Sequence, residues 1–410
     1  MIKNLTPISS QCVSEHSDSP PRPERGNLIY QTHNSGWGEV LTLIILFSFS
    51  NLHAQRVPVL NQIDLPHNYY YRELYLPQLT SGPSSVAWSP DGKSLVFSMS
   101  GSLWRQELGS EIADQLTDGN GYDYQPDWSP DGKQIIFVRY DGAAVELMVI
   151  DLTSKLTFQL TSNKGVNLEP RWSPDGKQIA FVSTVTTGHY LLYRAAVVAN
   201  KLTEQVCLTP DRKSLVKRYY YSAFDHAVNP TWSRDGKKII FVSNKEIAHG
   251  TGDIVSINSD GSKSEIIHHE ETNWRTRSDM SPDGTRMVYS SYLGRNWHQL
   301  WLLPSEGGYP MPITYGDHDN TSPRWSPNGK QIAFISNRLG NTSLWLVNAY
   351  DGKQHQMISR NLNYVNPHTT LALTVQDENG IAVAARISVV DSKGKFYAPS
   401  NTWIHADDSR

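Results

Sequence analysis

One hexapeptide, Trp88-Ser89-Pro90-Asp91-Gly92-Lys93, determines the architecture, because close variants of it recur five more times along the chain. The variants begin at Trp128, Trp172, Trp232, Met280 and Trp325. An apolar, strand-like run such as Leu95-Val96-Phe97 follows each copy. Successive copies are 40, 44, 60, 48 and 45 residues apart, which is about the length of one propeller blade. Six copies predict six structural units.

The repeated stretch has the composition of a tight hairpin turn. Proline presets the first central position, aspartate tolerates the second, and glycine takes the left-handed conformation that closes the turn. Arg234 replaces the proline in one copy and Asn328 replaces the aspartate in another, but the glycine is never replaced, since a side chain there would be strained. We therefore assign a structural role to these turn positions: Trp88, Asp91, Gly92, Trp128, Asp131, Gly132, Trp172, Asp175, Gly176, Trp232, Asp235, Gly236, Asp283, Gly284, Trp325, Asn328 and Gly329.

Each unit contains two further strand-like segments. A third strand is clearest at Ser102-Leu103-Trp104, and a fourth ends near Gln115-Leu116-Thr117. Nearly continuous apolar strands are typical of sheets covered on both faces, as in blades stacked around an axis. The sequence therefore predicts an all-β, six-bladed propeller with four-stranded blades, followed by the start of a small sandwich-like β segment.

The predicted domain boundaries are a leader over 1–54, a lead-in over 55–77, the propeller over 78–360, and a partial β segment over 361–410. Two segments compete to close the ring. Gln78-Leu79-Thr80 is expected to pair into the last blade as an amino-terminal strand, which would remove exposed sheet edges. Gln356-Met357-Ile358-Ser359 is the alternative strand for that position.

Total charge and cysteine content exclude some classes of protein. A formal charge of -3 and a pI near 6.5 give no electrostatic reason to expect a nucleic-acid partner. Only Cys12 and Cys207 are present, so no disulfide framework is predicted.

An apolar run over residues 40–50, with Ala54 as a plausible cleavage point, has the length of a secretory signal core rather than of a spanning helix. It predicts a periplasmic or secreted protein with no stable membrane span. Residues 1–39 are polar and form a poor positively charged leader, which leaves a short membrane anchor or a buried segment as alternatives.

The long interval between Trp172 and Trp232 predicts an insertion over 183–228. It contains Tyr219-Tyr220-Tyr221 beside Lys217 and Arg218. These residues suit either a recognition surface or a packed loop or strand of the blade.

The hairpins and the preceding Gln-Leu-Thr segments resemble the six-bladed propeller of the TolB family, over Gln78 to about Arg360. Propellers of this kind occur as binding modules and as domains of hydrolases, so the resemblance is specific for fold and weak for function. Residues 385–399, with His405, Asp407 and Asp408, resemble the junction in fusion proteins in which an amidohydrolase domain follows such a propeller. The resemblance implies a chain truncated before the catalytic barrel. A divalent metal such as zinc is implied only for that domain, because the family's His-x-His motif has no match here.

The sequence contains no recognisable catalytic or metal-binding constellation. There is no Gly-x-Ser-x-Gly motif, and the adjacent His268 and His269 would point to opposite sides of a strand. We predict no catalytic residue, metal ligand or cofactor in this chain.

The innermost strand of each blade lines the axis of a propeller, and the residues just before each hairpin begin that strand. They are expected to converge on the channel mouth and to bind a partner protein, a peptide or a small polar ligand, or else to bond to each other and to water. The candidates are Asp123, Tyr124, Glu169, Asp225, His226, Arg275, Arg277 and Asp319.

Three functions remain open from the sequence. The first is an exported binding or gating module that forms the amino-terminal part of an amidohydrolase-like protein. The second is a free-standing periplasmic scaffold that binds a partner protein at the channel mouth. The third is a propeller lyase or hydrolase that acts on a sugar or a peptide.

Overall fold

A computed structural model describes residues 82–397, except 211, 218–222, 246, 249–251, 273–275, 294–295, 370, 386, 388 and 391–394. The predicted signal run, its cleavage point at Ala54 and the Gln78–Thr80 strand lie outside the described residues. Residues 371–387 cluster separately from 82–370 and 389–397, so the two units are described one at a time. The described residues include no helix with the length and apolarity that a membrane crossing requires.

Six sheets form six blades, and in each blade four antiparallel strands follow one another in chain order, which confirms the predicted propeller. The sheet of the first blade has a fifth, parallel strand that comes from the chain after the last blade. The first blade contains β1 (Pro83–Trp88), β2 (Ser94–Met99), β3 (Ser102–Glu107) and β4 (Ile112–Gln115). The second contains β5 (Tyr122–Trp128), β6 (Gln134–Tyr140), β7 (Val145–Asp151) and β8 (Thr157–Gln159). The third contains β9 (Asn167–Trp172), β10 (Gln178–Ser183), β11 (Leu191–Val198) and β12 (Lys201–Cys207).

The remaining blades repeat this plan. The fourth contains β13 (Ala227–Trp232), β14 (Lys238–Ser243), β15 (Gly252–Asn258) and β16 (Ser264–Thr272). The fifth contains β17 (Asp279–Met280), β18 (Arg286–Ser291), β19 (Gln299–Pro304) and β20 (Met311–Pro312). The sixth contains β21 (Asn320–Trp325), β22 (Gln331–Leu339), β23 (Asn341–Asn348) and β24 (Gln354–Met357).

The repeated turn joins the first and second strands of every blade, and its aspartate does more than tolerate the conformation. In the first blade Asp91 Oδ1 accepts hydrogen bonds from Ser89 Oγ at 2.6 Å and from the Lys93 amide at 3.0 Å. Asn328 Oδ1 accepts the corresponding bonds at 2.8 and 3.0 Å. The turn glycine has a φ of 69–75° in all six copies. The turn therefore needs an acceptor oxygen at one position and glycine at the next.

The Leu-Thr pair after the fourth strand is also structural. The Thr117 hydroxyl accepts a hydrogen bond from the Leu103 amide at 2.9 Å, and Leu116 donates its amide to Leu103 O at 2.8 Å. Thr161, Thr209 and Thr314 accept the equivalent amide bond from the third strands of their own blades. The hydroxyl thus satisfies a buried backbone donor where the sheet ends.

The hydrophobic core is divided among the interfaces between blades. One cluster joins Ala87, Val96 and Leu103 of the first blade to Phe137 and Met148 of the second. An aromatic side chain of the second strand is buried in every blade: Phe97, Phe137, Phe181, Phe241, Tyr289 and Phe334. Burying such rings from both sides stabilises the stacked blades.

A clasp, defined as residues 358–366, follows the sixth blade and returns to the first. The fourth strand of the last blade is Gln354–Met357. Of the two segments predicted to close the ring, the described residues therefore show the carboxyl-terminal one in the last blade. β25 (Asn361–Asn363) then pairs in parallel with β4 of the first blade. The clasp therefore connects the two ends of the blade series.

The predicted insertion contains two regular strands, β11 and β12 of the third blade. The residues that lengthen this repeat form the crossover from Pro210 to His226. Within that crossover, Tyr219–Tyr221 lie outside the described residues. After the clasp, β26 (Val389–Val390) pairs with β27 (Phe396–Tyr397). Within the separate unit 371–387, the described pairing is one bridge between Gln376 and Ala382 around an Asp377–Ile381 turn.

Candidate functional site

A bulge in the innermost strands builds the centre of the channel. Three positions before the turn tryptophan or methionine, five blades have a non-glycine residue with a φ between 37° and 56°. Such conformations are strained for ordinary side chains and cluster at functional sites. The five residues are Gln125, Glu169, Asn229, Arg277 and Ser322, and Ser85 holds the same position in the first blade.

These residues link neighbouring blades through side-chain acceptors. Ser85 Oγ accepts the Gln125 amide at 3.0 Å, and Gln125 Oε1 accepts the Glu169 amide at 2.9 Å. Glu169 receives both the Asn229 amide and its Nδ2 at 2.6 Å, and Asn229 Oδ1 accepts the Arg277 amide at 3.2 Å. The cavity between them is about 40 Å³, enough for only a few water molecules. The channel is therefore closed at its centre.

A second layer, the charge cluster, consists of Asp127, Arg171, Asp279 and Arg324. Each residue immediately precedes a turn tryptophan or methionine. Arg171 pairs closely with Asp279 and lies 3.7 Å from Asp127. Arg324 Nη1 lies 3.6 Å from Asp127 and 3.5 Å from Asp279. The formal charges of the four side chains cancel.

Burial dominates the electrostatics of this cluster. It raises the pKa of Asp279 to about 6, against the opposing attraction of Arg171. Burial also raises the pKa of Asp127 and the pKa of Glu169, which lies in the first layer at the centre of the channel. Loss of hydration disfavours the ionised carboxylates more than the arginines favour them.

The turns themselves surround a wider mouth on the outer side of the charge cluster. This mouth is a cavity of about 430 Å³ with the four charged residues at its floor. Its wall contains equivalent residues of all six repeats: Trp88, Pro90, Trp128, Pro130, Trp172, Pro174, Trp232, Arg234, Met280, Pro282, Trp325 and Pro327. The residues that form the fold therefore also form the mouth.

Only some of the indole N–H groups in this wall donate a hydrogen bond within the described part of the chain. Trp88 Nε1 donates to Arg324 O, and Trp232 Nε1 donates to Arg171 O, each at 3.0 Å. The buried Nε1 atoms of Trp128, Trp172 and Trp325 have no hydrogen-bond partner among the described residues. Because buried donors are normally satisfied, the wall retains unused hydrogen-bonding capacity.

Of the eight candidates from sequence, the structure brings Glu169 and Arg277 together in the channel, with Arg277 Nε 3.6 Å from Glu169. Arg275 lies outside the described residues. Asp123 instead forms a two-bonded ion pair with Arg139 of the next strand, at 2.7 and 2.8 Å. Tyr124 is buried in the core.

The other three candidates also lie away from the channel centre. Asp225 and His226 line a separate cavity between the third and fourth blades. Asp319 accepts hydrogen bonds from the amide and Nδ1 of His298. The structure therefore brings two of the seven described candidates together at the channel centre. The residues that begin an innermost strand contact partners beside their own strand, whereas residues at or after the bulge face the axis.

The residues predicted from the sequence do not include Gln125, Asn229, Ser322 or the charge cluster. A signal was present, since proline stands two residues before the turn tryptophan in four copies: Pro126, Pro170, Pro230 and Pro323. Proline lacks an amide donor and in strands marks edges or bulges. Counting positions back from the tryptophan would have found both layers.

Among the described residues no group of three or more His, Cys, Asp or Glu side chains could hold a metal ion. His268 Nε2 contacts Glu270 at 3.2 Å, whereas His269 Nδ1 contacts Asp253 at 3.0 Å. The adjacent histidines thus take different partners, as alternation along a strand predicts.

Comparison with known proteins agrees with the architecture. Residues 84–214 match the TolB beta propeller domain family. The chain is 26% identical over 310 residues to Tol-Pal system protein TolB of Francisella tularensis subsp. holarctica, covering 73% of this chain and 67% of the relative. It is 32% identical over 92 residues to the uncharacterized peptidase YuxL of Bacillus subtilis, covering 20% of this chain but only 13% of the peptidase. The crystal structure of the tricorn protease aligns with a TM-score of 0.50 at 16% identity, over 72% of this chain and 27% of that one. The chain contains a TolB-like propeller.

Proposed function

We propose that this TolB-like propeller is a binding module that recognises a partner protein at the mouth formed by its repeat turns. The observation that carries the proposal is the combination in one cavity of about 430 Å³ of an aromatic and proline wall with a floor of two arginines and two aspartates. Tryptophan and arginine are the residues that most often dominate binding energy at protein interfaces.

The geometry favours a short segment of the partner over a threaded chain. The 40 Å³ centre stops anything that enters the mouth at the charge cluster. A polar or charged side chain could there exchange partners with Asp279 or Arg324, while apolar groups contact the indole wall. Such a site suits a loop or a chain end with one polar anchor.

The proposal has two further parts. The protein is exported, and it is the recognition or gating part of a larger hydrolase. Export is supported by the apolar run over residues 40–50. The hydrolase connection is supported by the resemblance of residues 385–399 to the junction in amidohydrolase fusion proteins. Sequencing the transcript that encodes this chain, in both directions beyond it, tests the connection directly, because a His-x-His strand is expected downstream.

Binding at the mouth is tested by site-specific photo-crosslinking in the native cell. A benzoylphenylalanine residue at Pro130 in the mouth wall is expected to capture one partner, and the same residue at the exposed outer position Leu156 is not. Arg234→Glu reverses a charge on the mouth wall and should weaken capture, whereas Lys237→Glu, in the same turn but outside the mouth, should not. Equal capture from Pro130 and Leu156 would refute the proposal.

A further inference from the structure

The crossover between the third and fourth blades differs from the other described crossovers. In the first blade four residues, 118–121, separate Thr117 from the start of β5 at Tyr122, whereas seventeen residues, 210–226, separate Thr209 from the start of β13 at Ala227. Its base is a two-stranded stem in which Ser214 donates to Ala223 O at 2.7 Å and Asp225 donates to Arg212 O at 2.9 Å. Long loops on a rigid scaffold frequently carry function.

The stem is fixed to the third blade by an aromatic contact. The ring of Phe224 stacks on His189 with centroids 4.3 Å apart, and His189 is buried. Arg212 and Asp225 on the stem form an ion pair at 3.1 Å. The stem is therefore a defined part of the wall between two blades.

A cavity of about 630 Å³ lies at the foot of this stem, between the two blades. Its floor is apolar, with Leu191 and Leu208 from the third blade and Phe241, Val255 and Ile257 from the fourth. All five side chains belong to the buried core of the protein. The volume falls within the range of about 300–1,000 Å³ that is typical of small-molecule sites.

The rim of the cavity has an excess of unused cationic donors. Arg212 uses only Nε for its bond to Asp225 among the described residues, so its two Nη groups remain. Lys245, which is exposed at the rim, forms no ion pair with any described residue. Two acids of the lining already have partners, since Asp253 accepts a hydrogen bond from the Glu270 amide and contacts His269 Nδ1, and Glu265 forms ion pairs with Lys238 and Lys263.

We propose that this cavity binds a small molecule with an apolar body and a carboxylate head. The body packs on Phe241 and Val255, and the carboxylate accepts hydrogen bonds from Lys245 and from the Nη groups of Arg212. Charge-assisted bonds of this kind are the stronger ones at a partly exposed rim. The site is separate from the mouth formed by the repeat turns, so it stands whether or not that mouth binds a protein.

The test compares 4-phenylbutyrate with 4-phenylbutanol, which share the apolar body and differ in the head group. Saturation-transfer NMR and calorimetry on the full chain measure binding of each. The acid should bind about tenfold more tightly than the alcohol. Lys245→Gln should remove most of that difference, and Lys133→Gln, a turn lysine of the second blade, should leave it unchanged.

Two further variants test whether a loss of binding comes from an obstructed cavity or from misfolding of the protein. Val255→Phe places extra volume on the floor, and Ser264→Trp, at an exposed lining position, obstructs the entrance without touching the core. Both should abolish binding of acid and alcohol while Ser264→Trp keeps the melting temperature of the parent. Absence of saturation transfer to either probe, or binding that Ser264→Trp leaves intact, overturns the proposal.

Discussion

The clasp is joined to the first blade by the pairing of β25 with β4 and by one buried side chain, Gln106 of the first blade. Its Nε2 donates to Ile358 O at 2.9 Å and to Ser110 O at 2.6 Å, and its Oε1 accepts from Ser359 Oγ at 2.6 Å. The side chain is 1% exposed. Two of its three bonds therefore join the chain after the last blade to the first blade.

Gln106→Ala removes all three bonds and leaves two carbonyl oxygens and a hydroxyl without their donor or acceptor. At about 1 kcal/mol for each bond, with part of the cost reduced where water can reach the partners, we expect a loss of about 2–4 kcal/mol in the free energy of unfolding. Urea unfolding followed by tryptophan fluorescence measures this loss. Gln159→Ala, which removes a single bond at an exposed position of the second blade, should cost less than about 0.5 kcal/mol.

A double-mutant cycle with Ser359→Ala tests whether the cost of Gln106→Ala comes from its contact with the clasp or from a local effect within the first blade. Ser359→Ala alone should cost about 1 kcal/mol, and in the Gln106→Ala background it should cost almost nothing, because its partner is already gone. Fully additive losses, or a loss below about 0.5 kcal/mol for Gln106→Ala, would refute the view that this contact strengthens the closure of the ring.

Three further predictions concern the repeat positions and the charge cluster. Thr161→Val leaves the Leu147 amide without its acceptor and should lower the free energy of unfolding by about 2 kcal/mol in urea titrations. Hydrogen bonds from Ser281 and Thr285 lower the pKa of Asp283 to about 2, so its carboxylate stabilises the fold above about pH 4 and loses this contribution as the pH falls towards 2; Asp283→Asn should flatten that part of the stability profile. Burial raises the pKa of Asp279 to about 6, so its contribution has the opposite sign and stability should fall as the pH rises from about 4 to 6, a change that carboxyl NMR titration can assign and that Asp279→Asn should remove.

The fold could be predicted because its determinants are local and repeated. The turn glycine has a positive φ in every copy, and the Oδ1 atoms of Asp91 and Asn328 accept the same hydrogen bond from the backbone amide two residues later. Six independent copies of one turn constrain the chain far more than any single motif could. The Leu-Thr caps were likewise visible in sequence as the Gln-Leu-Thr segments.

The site was harder to predict because a single bulge decides which side chains face the axis. Along a regular strand, alternation would predict the direction of Glu169 from that of its neighbours. The bulge breaks that alternation, as seen where the register of β5 and β6 shifts between Tyr124 and Asp127. Asp123 therefore pairs with Arg139 inside the blade, whereas Gln125 and Asp127 reach the channel.

The six copies of the repeat have nearly the same residues in the mouth wall but different residues at its floor. In this way a symmetric fold can acquire a specific site. The tryptophan and proline positions are nearly invariant among the six copies because the turn and the blade interface require them. The position just before the turn tryptophan or methionine carries four different residue types in the six copies: Ala87, Asp127, Arg171, Thr231, Asp279 and Arg324. Backbone geometry imposes none of these choices, and burying four charges costs hydration free energy that hydrophobic residues would not lose. The cost is understandable if the floor is selected for what it binds, since charge pairs in such a site can exchange partners with a ligand. If the mouth binds a partner as proposed, the floor would determine specificity and the wall would contribute general affinity.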